Sequence, residues 1–213
     1  MKFKNIIEPL DTKDFFENVW NKKSKHFKSK MNRFDNLPSS TDLLSRGNAL
    51  IKRDFWENDT NNINAILVDT KGLPKEINNI PRSMCPDLYN NGYSICFGRF
   101  NPKNEELIEM INDVSALSNY ECNTFFTCYL SPPNSNGVIH YDSQHVFFIQ
   151  REGTKYWRVS KIPAIKNPID NLVYNSIDNY YLETLKSMGY EIKIPAKCGY
   201  EDIKLKAGEV LYM

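Results

Sequence analysis

From Asn123 to Met213 the chain is a series of short β-branched and aromatic runs, cut by polar turns that contain Gly and Pro. Few folds accept that punctuation. Thr124–Leu130, Val138–Gln150, Thr154–Val159 and Ile203–Lys206 read as strands, and Ala207-Gly208 leads into a last one at Glu209–Met213. Ser131–Gly137 is a loop by composition, a break is expected near Ser143, and Glu152-Gly153 punctuates before Thr154. Many short strands joined by polar turns predict a sandwich or jelly-roll barrel. One helix interrupts them, near Asn179 to Met188, with Gly189 as its C-terminal cap.

The region before Asn123 reads differently. Asp11 or Thr12 caps a helix that carries Phe15, Phe16, Val19 and Trp20 on one face, and Ser40 caps a shorter one through Leu43 and Leu44. Asn101-Pro102 opens a third, with Leu107, Met110, Ile111, Val114 and Leu117 at helical spacing. Ala65–Val68 and Tyr93–Phe97 read as strands among them. A length of 213 residues fits one domain, with 1–122 a helical and mixed part and 123–213 the β core.

Composition narrows the functional classes. A net charge of +1 gives no polyanion-binding surface, so direct nucleic-acid binding is not expected. Lys22, Lys23, Lys25, Lys28 and Lys30 form a local cluster that reads as a solvated helix end or a contact for an acidic partner. The five cysteines, Cys85, Cys96, Cys122, Cys128 and Cys198, are odd in number and contain no CxxC pair. That argues against a disulfide framework or a structural zinc site and for reduced thiols in a cytoplasmic protein. The N-terminal apolar run is too short for a signal peptide, and no membrane span is expected.

The chemistry concentrates in one segment. Alternate side chains of a strand share a face, so His140 and Asp142 point the same way, with Tyr141 opposite. An imidazole beside a carboxylate supplies two arms of the facial triad that holds non-haem iron(II). Lys155 follows fifteen residues later, inside a strand that starts just past Gly153, and shares its face with Trp157 while Arg158 points away. A cation in that position can anchor a carboxylate.

The stretch His140 to Arg158, HYDSQHVFFIQREGTKYWR, resembles the signature of JmjC-type cupins, specifically the ribosomal-oxygenase branch. Tyr129 to Gly137 is similar to that branch's lead-in loop, Phe16 to Lys23 to its N-terminal helix, and Leu205 to Tyr212 to its late strand. The resemblance implies a mainly β fold with α: a double-stranded β-helix (jelly-roll, cupin) with an N-terminal helical elaboration. It implies an iron(II)- and 2-oxoglutarate-dependent dioxygenase that hydroxylates a protein or peptide side chain, with His140 and Asp142 as metal ligands. Lys155, Thr127 and Tyr129 would line the 2-oxoglutarate site, Thr127 standing where relatives often carry an asparagine. In the family a second histidine ligand lies a few residues past the late strand. The chain reaches Met213 before it, so the third ligand and the last strands are expected to be missing. His145, which a continuous strand turns to the other face, and His26, in the lysine-rich stretch, are the remaining histidines. A non-catalytic cupin that binds a partner, and a hydroxylase of small molecules or natural-product peptides, are the alternatives. Homo-oligomerisation through open strand edges is also expected.

Overall fold

The computed structural model describes residues 2–29, 33–45, 62–100, 105–118, 124–174, 179–191, 193 and 199–213. Helices are α1 (Phe3–Ile6), α2 (Thr12–Asn18), α3 (Ser40–Leu44), α4 (Cys85–Asn90), α5 (Glu105–Ser118) and α6 (Asn179–Ser187). Strands are β1 (Lys25–Phe27), β2 (Ile63–Val68), β3 (Pro74–Ile77), β4 (Ser94–Phe100), β5 (Phe126–Leu130), β6 (His140–Tyr141), β7 (Phe147–Ile149), β8 (Thr154–Ser160), β9 (Leu172–Val173), β10 (Tyr200–Lys206) and β11 (Val210–Tyr212). They divide into two compact units, one formed by residues 1–5 and 35–137, the other by 6–34 and 138–213. Strand β5 therefore belongs with the first unit, although its composition groups it with the strands that follow.

The first unit is built on a four-stranded antiparallel sheet in the order β3-β2-β4-β5. Asp69 closes the β2–β3 hairpin, its Oδ1 accepting the N–H groups of Lys71 at 2.8 Å and Leu73 at 3.0 Å. These backbone donors hold its carboxyl below the usual range. Leu43, Ala65, Ile80, Cys85, Ile95 and Phe97 form the core, with Cys128 and Leu130 packed against it. Helix α3 starts one residue earlier than expected. Ser39, not Ser40, is the cap, in a capping box where Ser39 Oγ accepts from Asp42 N and Asp42 Oδ2 accepts from Ser39 N. Two adjacent serines are chemically equal candidates, and Asp42 decides between them because only Ser39 has an acid at the third helical position. Arg82 donates to the carbonyls of Asp42, Leu43 and Ser45 at the other end of that helix. Helix α5 buries Met110, whereas Leu117 in its last turn is 44% exposed, so the apolar stripe stops short of the helix end. The expected opening at Asn101-Pro102 lies outside the described residues, as do Cys122 and Cys198.

The second unit carries a three-stranded antiparallel sheet, β1-β11-β7, and two antiparallel ribbons, β10-β8 and β6-β9. Asp11 caps α2 by accepting from Asp14 N at 2.8 Å. Strand β8 alternates as a half-buried strand should: Lys155 and Trp157 are half-buried and Val159 buried, while Thr154, Tyr156 and Arg158 are exposed. Its partner β10 runs from Tyr200 opposite Ser160 to Lys206 opposite Thr154 and supplies the buried Ile203 and Leu205. These join Val159 and Leu211, with Phe148, Trp157 and Met213 packed alongside. One core is thus shared by the sheet and the β10-β8 ribbon, the layered arrangement expected of a jelly roll. Gly189 ends α6 at φ 84°, its N–H bonded to Lys186 O and that of Tyr190 to Leu185 O, a Schellman pair that needs the left-handed region.

Removing core volume here is costly and trimming the outer face is not. Leu205→Ala should lower unfolding free energy by about 2–5 kcal/mol, and Tyr156→Ala, at a side chain 76% exposed, should change it by no more than about 0.5 kcal/mol. Urea unfolding of both variants checks the assignment of faces on β8 and β10.

Candidate metal centre

His140 opens strand β6, and that short strand is held by its neighbour rather than by length. His140 pairs with Val173 and Tyr141 with Leu172, and Tyr174 N donates to Ile139 O at 2.8 Å. Tyr141 faces away from His140. Burial and the nearby Tyr181 push its phenol up to about 12. The chain bends at Ser143-Gln144 and resumes as β7, where Val146 and Met213 exchange N–H···O bonds of 2.9 and 3.0 Å.

The His140 ring is oriented by its own backbone. Nδ1 lies 2.9 Å from Val138 O. A carbonyl only accepts, so Nδ1 donates this bond, and in the neutral ring Nε2 is the nitrogen with the lone pair. That nitrogen lies 3.7 Å from Asp142 Oδ2. Two adjacent donors of an octahedral ion sit about 3 Å apart when each bond is about 2.1 Å, so small side-chain rotations bring the pair onto one cation. An oriented imidazole and a carboxylate suit a divalent first-row metal, and a backbone carbonyl on the distal nitrogen is the usual support of a metal-ligating histidine. Among the described residues no group of three His, Cys, Asp or Glu side chains gathers around one point.

Lys155 stands on the core-facing side of β8, opposite the fully buried Leu205. Trp157 shares that side, its ring 4.3 Å from Phe148, and its buried Nε1–H has no partner among the described residues. The face therefore carries a buried indole N–H donor that no described residue satisfies. Arg158 points outward and grips Asp202 through bonds of 2.7 and 3.0 Å. Thr127 and Tyr129 lie in the first unit, on the face of β5 opposite to Cys128 and Leu130. Thr127 is half-buried and Tyr129 is 50% exposed, opposite Cys96 in the ladder.

The other two histidines are engaged elsewhere. His26 Nε2 lies 2.9 Å from Glu209 Oε2, which also accepts from Lys206 N. His145 stacks on Trp20 at 4.0 Å between ring centroids, and its Nδ1 is 2.8 Å from Tyr212 Oη. Burial lowers its basicity below the usual imidazole range. One residue of the site region escaped the sequence reading. Asn171 Oδ1 accepts from Ser143 N at 2.7 Å and Ser143 Oγ at 2.9 Å, directly after Asp142. Lying 28 residues away in a stretch with no periodicity, it gave no pattern by which to find it.

The JmjC domain family matches residues 99–213, more than half of the chain. The chain belongs to the JmjC family of cupin-type oxygenases. Over 97% of its length it is 29% identical to the bifunctional lysine-specific demethylase and histidyl-hydroxylase NO66 of Drosophila mojavensis, covering 21% of that protein. Over 99% it is 30% identical to the NO66 of Aedes aegypti, covering 31%. A 58-residue stretch, 27% of the chain and 9% of the relative, is 41% identical to ribosomal oxygenase 1 of Rattus norvegicus. The chain thus spans between about a fifth and a third of the full-length NO66 relatives. The JmjC match agrees with the mainly β architecture with helices described above. No helix among the described residues is long and apolar enough to cross a membrane.

The buried His145 makes a pH prediction. Its folded basicity lies below the ordinary value of 6.5, so below that pH the unfolded chain binds the proton first. Its contribution to stability is intact above about 6.5 and falls as pH drops from there toward the lowered folded value. Urea unfolding at pH 7.5 and 5.5 should show a larger loss for the native chain than for His145→Phe. Equal losses would remove His145 as the cause.

Proposed function

We propose that this chain carries the metal- and cosubstrate-binding face of a 2-oxoglutarate-dependent dioxygenase that hydroxylates a protein or peptide side chain. The observation that carries the reading is His140: its Nδ1 is tied to Val138 O, and its free Nε2 faces Asp142 Oδ2 at 3.7 Å. His140 and Asp142 would hold iron(II) through those two atoms. Lys155 would donate to the distal carboxylate of 2-oxoglutarate, with Trp157 Nε1–H as a second donor from the same strand face.

Iron(II), when bound, supplies the dioxygen chemistry that couples cosubstrate oxidation to hydroxylation. The balance is closed: 2-oxoglutarate loses carbon dioxide and takes one oxygen atom to become succinate, and the other oxygen enters a C–H bond as a hydroxyl. The protein's own contribution is to orient ligands and cosubstrate, which lowers the entropy cost of bringing them together. The relatives' names specify lysine demethylation, histidyl hydroxylation and ribosomal oxygenation, and all three descriptions favour a proteinaceous substrate over a small molecule. Cys85 and Cys96 are buried thiols, which fits a reducing compartment such as the cytoplasm.

Manganese(II) titration followed by electron paramagnetic resonance tests the metal ligands. His140→Ala should bind the ion measurably more weakly than the native chain, and equal affinity would remove His140 from the site. Cosubstrate binding, measured calorimetrically in the presence of manganese, tests Lys155. A charge-assisted hydrogen bond contributes roughly 1.5–3 kcal/mol, so Lys155→Ala should weaken 2-oxoglutarate binding by about tenfold or more. Metal affinity should change little in that variant, and Arg158→Ala should leave both unchanged.

A further inference from the structure

The antiparallel ladder of β6 and β9 places more than its two formal pairs. Ile139 is hydrogen-bonded to Tyr174, so by alternation the His140–Val173 pair is a non-hydrogen-bonded one. Carried one step further, the register sets Asn171 across from Asp142 in another non-hydrogen-bonded position. Side chains approach most closely at such positions, and His140, Asp142 and Asn171 therefore share one face of the ribbon.

The next residue, Ser143, would in a regular ladder donate its N–H to the backbone of residue 170. It donates to Asn171 Oδ1 instead, at 2.7 Å, and its hydroxyl donates to the same oxygen at 2.9 Å. Gln144 Nε2 donates to that hydroxyl at 2.9 Å, leaving the Ser143 proton for Asn171. Asn171 is itself held, its N–H bonded to Asp170 Oδ1 at 2.8 Å. One carboxamide oxygen thus ends the strand and starts the bend immediately after the carboxylate.

We infer that Asn171 is a positioning residue for the metal ligand Asp142: by holding Ser143 N and Oγ it fixes the backbone from which the carboxylate meets His140 Nε2. The inference rests on the metal-binding reading above. Without these bonds the residues after Tyr141 are free to leave the ribbon, and the carboxylate loses its fixed direction. Supports one step behind a ligand typically change metal affinity by 10–100-fold.

The test compares the native chain with N171A, N171D, S143A and H140A, using manganese(II) affinity and the visible absorption bands of bound cobalt(II). Asn171 is exposed, so its replacement leaves the core intact, and thermal unfolding of each variant verifies this. N171A should bind manganese about tenfold more weakly and shift the cobalt bands. S143A, which retains the backbone donor, should lose less. N171D keeps an acceptor oxygen in place and should restore both the affinity and the band positions. Native-like affinity and bands in N171A, with binding lost in H140A, would overturn the role of Asn171 and leave the metal site standing. Equal loss in N171A and N171D, with a matching fall in thermal stability, would overturn it in favour of a purely structural role. A native chain that binds no more tightly than H140A would overturn the metal site and this inference together.

Discussion

The second unit depends on strand β11. Val210, Leu211 and Tyr212 are all buried, and the strand is the middle one of its sheet, paired to β1 on one side and β7 on the other. It thereby joins residues near the start of the chain to residues more than a hundred positions later. Tyr212 is the hub: its ring meets Phe15 edge-on at 5.2 Å and Phe147 at 4.9 Å, and its oxygen accepts from Asn21 N at 3.0 Å. Aromatic side chains of this size contribute large buried areas and edge-to-face contacts together. Burial pushes the Tyr212 phenol up to about 12, so the hydroxyl stays protonated and able to donate to His145 Nδ1. His145 is therefore consumed by the core that holds the sheet together, stacked on Trp20 and bonded to Tyr212.

That core also delimits the site segment. The bend at Ser143-Gln144 has a fixed point on each side. After it, Val146 is locked to Met213 by a reciprocal pair of backbone bonds, an extension of the β7–β11 ladder. Before it, the β6–β9 ribbon and Asn171 hold Tyr141 and Ser143. Asp142 lies between these anchors, on a stretch too short to wander. The same logic applies to Lys155, whose strand is fixed by seven consecutive pairs with β10 and by Leu205 across from it.

Some of this could be read from residues alone, for identifiable reasons. The faces of β8 were legible because Tyr-Trp-Arg-Val alternates in polarity and a strand has a period of two. Asp11 and Gly189 were legible because capping and left-handed termination are local chemistry. The single-residue error at Ser39 arose where two serines adjoin and only the partner acid three positions on discriminates. Pairing was not legible. Strands of two residues, such as β6 and β9, carry no periodicity, and their pairing joins residues about thirty positions apart with two other strands between them. Asn171 was hidden for that reason: its role lies in a tertiary register and not in any local pattern. Likewise, the grouping of β5 with the earlier sheet follows from its ladder to β4, which composition does not encode.

The candidate metal pair illustrates why function and stability part company here. The side chains of His140 and Asp142 are 39% and 27% exposed and 3.7 Å apart. Solvent screens an interaction of that kind, and such pairs add little to folding. Nothing in the core requires these two residues to face each other. Their alignment comes instead from backbone that is fixed for other reasons: the Val138 carbonyl that orients the imidazole, the β9 ladder that fixes the strand, and the Tyr212-centred sheet that restarts it. Folding energy is thus invested in the frame, and the donors are left under-used by the protein itself. Two donor atoms held close together, oriented, and weakly committed to each other are available to an added cation, because binding it breaks no interaction the fold relies on.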